Sequence, residues 1–66
     1  MTDRKTLRLI QARHVDNGED VYLTACDAWT ADITIAEHLP AEDHDWRLAF
    51  ANRLPEVTNA RLVPAP

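Results

Sequence analysis

With 66 residues, eleven acids against seven Lys/Arg and a net charge of −4, the chain is bounded as one small domain. Such a domain buries about 60% of the surface its unfolded form exposes. One cysteine excludes an internal disulfide, one glycine excludes a Gly-rich phosphate loop, and the absence of serine excludes a serine nucleophile.

The first predicted element is a β-hairpin. In "VDNGED" (Val15 to Asp20) the Asn17-Gly18 dipeptide suits a two-residue corner, because glycine takes positive φ at little cost. That corner sets His14 opposite Val21, Ala12 opposite Leu23 and Ile10 opposite Ala25. The alternate pairs are then Arg13 with Tyr22, Gln11 with Thr24 and Leu9 with Cys26. One face of the ribbon becomes apolar and the other mixed, as a half-buried antiparallel pair requires. A four-residue loop, Asp16 to Glu19, is the variant. The ribbon begins near Thr6, where Leu7 and Leu9 break the alternation of Ile10 and Ala12; a bulge, or cover on both faces, would explain the break.

Asp27 in "ACDAWTAD" is a good turn residue, and Trp29 with Thr30 suits a strand or its entrance. "DITIAEHL" alternates Ile33 and Ile35 with Thr34 and Ala36, which predicts a short third strand or an irregular segment along the ribbon. "LPAEDHDWRLAFANRLP" predicts the one helix. Pro40 suits a first turn, acids crowd the N-terminal end, and Pro55 stops it. Trp46, Ala49, Phe50 and Leu54 form its apolar stripe, and Trp46 and Phe50 are expected to meet Ile10, Leu23 and Ile33 or Ile35. A final strand, Ala60 to Val63, is confined to an edge or ended by Pro64. The expected fold is α+β: a small antiparallel sheet with an N-terminal β-hairpin and one helix packed on a face, in the order β-β-β-α-β.

Charge is unevenly spread. Residues 16–45 hold nine carboxylates and no lysine or arginine, between basic stretches at 1–15 and 46–66. This acidic belt either pairs with the chain's own basic ends or offers a docking face to a basic partner. It repels polyphosphate, so nucleic acid is not an expected partner. No segment approaches the roughly 20 apolar residues of a membrane span, and the first residues have no apolar run suited to a signal peptide. With one cysteine, the expectation is a reducing, cytoplasmic setting and no membrane.

Two constellations offer chemistry. Cys26 could be a nucleophile or redox element, but Asp27 adjoins it and no Lys or Arg lies between residues 14 and 37; His14, His38 or His44 would have to arrive through folding. In "EHLPAEDHD" His38, His44 and neighbouring acids could hold a metal or small ligand, yet their spacing matches no specific ligand pattern. Neither forms a convergent site in the sequence, so no cofactor or metal is expected.

The run "ARHVDNGEDVYLTACDAWTADITIAEHL" resembles a family of small bacterial proteins classed as a domain of unknown function. Its pattern is a strand ending in Ala-x-Arg or Ala-Asn-Arg, an Asp-Gly turn and Val-x-Tyr/Phe-Leu-Thr-Ala. A short turn, a tryptophan and an acidic pair before an alanine follow. This chain supplies Ala12, Arg13, Asn17-Gly18, Val21-Tyr22-Leu23-Thr24-Ala25, Trp29, Asp32 and Ala36. It departs at "CDAW", where a glycine-containing turn is usual. The resemblance covers about the first 40 residues. Members are often encoded beside assimilatory sulfite reductase, which implies an accessory role in sulfur assimilation and no catalytic residue.

The reading that results is a non-enzymatic interaction module, with a protein partner that the resemblance implies is a sulfite reductase component. Its acidic belt or an open sheet edge would be the contact surface, and a homodimer could hide that edge. Arg13, Tyr22, Trp29 and Asp32 are the candidate binding residues. The alternatives are a thiol-dependent enzyme or redox element using Cys26, and a metal or small-ligand carrier using His38 and His44.

Overall fold

The computed structural model describes residues 7–66. Four strands form one antiparallel sheet in the order β3-β2-β1-β4: β1 is Arg8–His14, β2 Asp20–Leu23, β3 Trp29–Thr30 and β4 Val57–Pro64. Between β3 and β4 come 3₁₀ turns at Ile33–Ile35 and Ala41–Asp43, then the helix α1, His44–Ala51. The α+β class and the hairpin-plus-helix order agree with the sequence. The start of the ribbon at Thr6 lies outside the described residues.

The β1–β2 hairpin keeps the expected faces in a register shifted by two. Ala12 pairs with Val21 and Arg13 with Asp20, so His14 lies opposite Glu19, not Val21. The turn is neither a two-residue corner nor the Asp16-to-Glu19 variant, because His14 N–H donates to Glu19 O at 2.9 Å and encloses Val15 to Gly18. A type I′ corner needs positive φ at both central residues, and here Gly18 has it (φ 71) while Asn17 does not. Asn17 instead accepts the Glu19 N–H on its side-chain oxygen at 3.0 Å. Side chains alternate with a period of two, so a two-residue slip leaves Ile10, Ala12, Val21 and Leu23 on one face.

The second turn closes on Thr24, whose N–H donates to Ala28 O at 2.8 Å. Asp27 sits there in the left-handed region (φ 63), at the position where glycine is usual in such three-residue hairpin loops. Its carboxylate offsets that strain by binding Arg47. The third strand is Trp29–Thr30 and not the Ile33–Ile35 segment, which winds into a 3₁₀ turn. Asp32 accepts the Thr34 N–H at 3.0 Å and caps that turn, so the alternation of Ile33 and Ile35 is not a strand pattern; Ile35 is exposed. The last strand begins at Val57, three residues earlier than expected. Its ladder with β1 slips between Gln11 and Arg13, where Asn59 (φ 58) forms the bulge. The bulge therefore lies here and not at Leu7–Leu9. Leu9 and Ile10 point to opposite faces and both are fully buried, so β1 is covered on both sides at that point.

One side of the sheet carries the core. Ile10, Leu23, Leu39 and Ala51 form one buried cluster with Phe50, Leu54 and Leu62 packed against it. Ala12, Val21 and Val57 form a second, and Trp29 and Ala60 touch both. The helix is rotated from its expected phase. Trp46 is 57% exposed and Ala49 is exposed, whereas Arg47 is only 6% exposed. The inward positions are Arg47, Phe50, Ala51 and Leu54, which keep the i, i+3, i+4, i+7 spacing but begin on a cation. The expectation that Trp46 fills the core is corrected accordingly.

Arg47 can be buried because its partners surround it. Its Nη1 lies 2.8 Å from Asp27 Oδ1, its Nη2 2.9 Å from Glu37 Oε1, and Nη2 also donates to Thr24 O at 3.2 Å. Its guanidinium carbon is 5.3 Å from the Trp46 ring centroid and 5.2 Å from that of Phe50. The planar fork of arginine thus joins the helix, the β2–β3 turn and the segment after the first 3₁₀ turn, which one ammonium could not do.

Candidate interaction face

The side of the sheet away from α1 is polar. Gln11 pairs with Tyr22 on one flank and with Arg61 on the other, and Tyr22 pairs with Thr30. These four residues run across all four strands in one row, as the period-two alternation requires. Gln11 Nε2 donates to the Tyr22 hydroxyl at 3.2 Å, and Arg61 Nη2 donates to Gln11 Oε1 at 2.6 Å. The row is thereby held as a linked network across β2, β1 and β4. The next row holds Asp20, Arg13 and Thr58, with Arg13 Nη2 at 3.7 Å from Asp20 Oδ1. That pair is half exposed on both sides and contributes little to stability; it does fix where two opposite charges sit. Beyond the first row, Leu9 pairs with Val63 and closes the face with an apolar end.

Of the four candidate binding residues, Arg13 and Tyr22 share this face. Trp29 does not: it pairs with Leu23 and packs into both core clusters, with its indole N–H buried and without a protein acceptor. Asp32 lies away from the sheet rows as the cap of the first 3₁₀ turn. Its carboxyl is held below the usual aspartate range by the Thr34 hydroxyl at 2.6 Å and by the Thr34 amide. A lowered pKa in the folded state supports the cap above the ordinary aspartate range, and that support is lost as pH falls through the lowered value. Replacing Asp32 with alanine is expected to speed hydrogen exchange at the Thr34 amide at neutral pH. In the parent protein the Thr34 amide resonance should titrate with a midpoint below the ordinary aspartate value of 3.8. Equal exchange in the two proteins would remove the cap from the account.

The alternative centres are placed as follows. Cys26 is exposed in the β2–β3 turn, beside an Asp27 already engaged by Arg47. His38 is exposed, while His44 Nε2 lies 2.9 Å from Leu39 O and so is spent on the backbone before α1. Among the described residues, no three His, Cys, Asp or Glu side chains come close enough to hold a metal ion. No helix among them is long and apolar enough to cross a membrane.

Gln11, Arg61 and Arg47 are the residues that sequence reasoning left out. Arg61 reaches the face through a pairing fifty residues apart in the chain, for which no local pattern exists. Gln11 could have been found, since it alternates with Ile10 and Ala12 and must share the side of Arg13. Comparison of the chain with protein-family models, curated proteins and solved structures gives no match.

Proposed function

We propose that this chain is a non-catalytic interaction module that presents the face of its sheet opposite α1 to a protein partner. The partner is a component of sulfite reduction, following the resemblance in its first 40 residues. The observation that carries the reading is the row Tyr22–Gln11–Arg61, cross-linked by hydrogen bonds on a face that α1 leaves uncovered. Tyrosine and arginine are the side chains most often found where binding energy concentrates, and a row already fixed in place loses little entropy on docking.

Two other contact surfaces are less well supported. The acidic belt is partly consumed within the fold, since Asp27 and Glu37 bind Arg47 and Asp20 faces Arg13. The β4 edge is blunted by the Asn59 bulge and by Pro64, which has no N–H to offer a further strand.

Affinity capture from the cells that make the protein tests the reading. The intact chain should retain a sulfite reductase component identified by mass spectrometry. Tyr22→Lys should lose it without loss of fold, while Cys26→Ala should keep it. Undiminished capture by Tyr22→Lys, or no sulfite reductase component with the parent chain, would overturn the proposal.

A further inference from the structure

We infer that Asn17 is a site of spontaneous deamidation, and that opening of the β1–β2 loop controls its rate. The reaction is internal. The backbone nitrogen of Gly18 attacks the side-chain carbonyl carbon of Asn17, forming a C–N bond; the Cγ–Nδ2 bond of Asn17 breaks, and the Gly18 amide proton leaves on that nitrogen as ammonia. Water then opens the five-membered imide at either carbonyl, giving aspartate or isoaspartate at position 17. No other reactant is needed.

Both residues are exposed, and no atom lies within 4 Å of the place a side chain on Gly18 would occupy. Gly18 has no side chain of its own to screen the attacking nitrogen, and nothing else packs against that side of it. The electrophile is also polarised, because the Glu19 N–H donates to Asn17 Oδ1 at 3.0 Å and draws charge from the carbonyl carbon. The nucleophile is locked. Gly18 N–H donates to His14 O at 2.8 Å, inside the loop that the His14 N–H to Glu19 O bond closes. Attack requires that N–H to lose its proton, and a hydrogen bond to a carbonyl opposes the loss. One neutral amide polarises a carbonyl only slightly, so the lock outweighs the activation.

The products differ in consequence. Aspartate adds a carboxylate between Asp16 and Glu19, next to the Arg13–Asp20 pair. Isoaspartate also routes the main chain through the β-carbon, lengthening by one atom a loop closed over four residues. The Arg13–Asp20 pairing is the nearest part of the ladder to feel that change, with Ala12–Val21 next.

The test uses the full chain, incubated at one pH and temperature with and without concentrated urea. Peptide mapping by mass spectrometry follows aspartate and isoaspartate at position 17. Conversion should be about tenfold slower in the folded chain, as opening of a closed loop limits it. Val21→Ala, which loosens the hairpin, should speed conversion in the folded chain and leave the unfolded rate unchanged. A folded chain that converts as fast as the unfolded one, or a Val21→Ala variant of lowered stability with an unchanged folded rate, would overturn loop control. No conversion in the unfolded chain would overturn the site itself.

Discussion

Arg47→Ala is expected to lower the unfolding free energy by about 3 kcal/mol. That is the low end for breaking a buried ion pair, because Asp27 and Glu37 keep partial access to water once the guanidinium is gone. The magnitude is large for this chain: a domain of 66 residues has a total stability of roughly 3–10 kcal/mol. Arg47→Lys should recover little, since an ammonium on a flexible stem cannot reach Asp27, Glu37 and Thr24 O together. Trp46→Ala is the control. Its ring is exposed and its indole N–H serves Asp43 on the surface at 2.9 Å, so its loss should cost no more than about 1 kcal/mol. Urea unfolding curves of the three variants decide between a helix pinned by its cation and one pinned by its tryptophan. Equal losses for Trp46→Ala and Arg47→Ala would contradict the former.

The second large effect is expected at Ile10. It is fully buried and packs with Leu23, Leu39 and Ala51, joining β1, β2, the chain before α1 and the helix itself. Ile10→Ala should remove about 3 kcal/mol, from lost burial and from a cavity that paired strands cannot collapse to fill. Gln11→Ala, one residue on but on the opposite face, should cost about 1 kcal/mol, because only one half-buried and one exposed hydrogen bond are lost. The contrast between adjacent positions is a direct reading of strand alternation. Similar costs at the two positions would mean that the faces are misassigned.

How far the fold could be read in advance depended on the kind of pattern involved. Ile10, Ala12, Val21 and Leu23 declared their common face, because a period-two pattern survives an error of two residues in register. The error itself was invisible for the same reason, and the loop contacts of His14 and Asn17 settled it. The helix was evident from Pro40, its leading acids and Pro55. Its phase was not, because two stripes have equal spacing and hydrophobicity favours the one through Trp46. The other wins because Asp27 and Glu37, distant in sequence, place two carboxylates beside Arg47. Asp27 in place of the usual glycine was the one local hint, since its side chain offsets a strained backbone. On the candidate face, Arg13 and Tyr22 were legible from the hairpin. Gln11 was legible too, but Arg61 arrives through β4, whose bulge at Asn59 shifts the register that alternation would give. A tryptophan beside a turn reads equally as surface or core, and the pairing of Trp29 with Leu23 makes it core.

The most direct measurement is tryptophan fluorescence of the Trp29→Phe variant, in which Trp46 is the sole emitter, under conditions where its circular dichroism matches that of the parent. With Arg47 turned into the fold, the folded variant should emit as a solvated indole, and acrylamide should quench it nearly as well as in the urea-unfolded chain. Blue-shifted emission, shielded from acrylamide until the protein unfolds, would mean that Trp46 occupies the interior and that the buried guanidinium does not hold the helix.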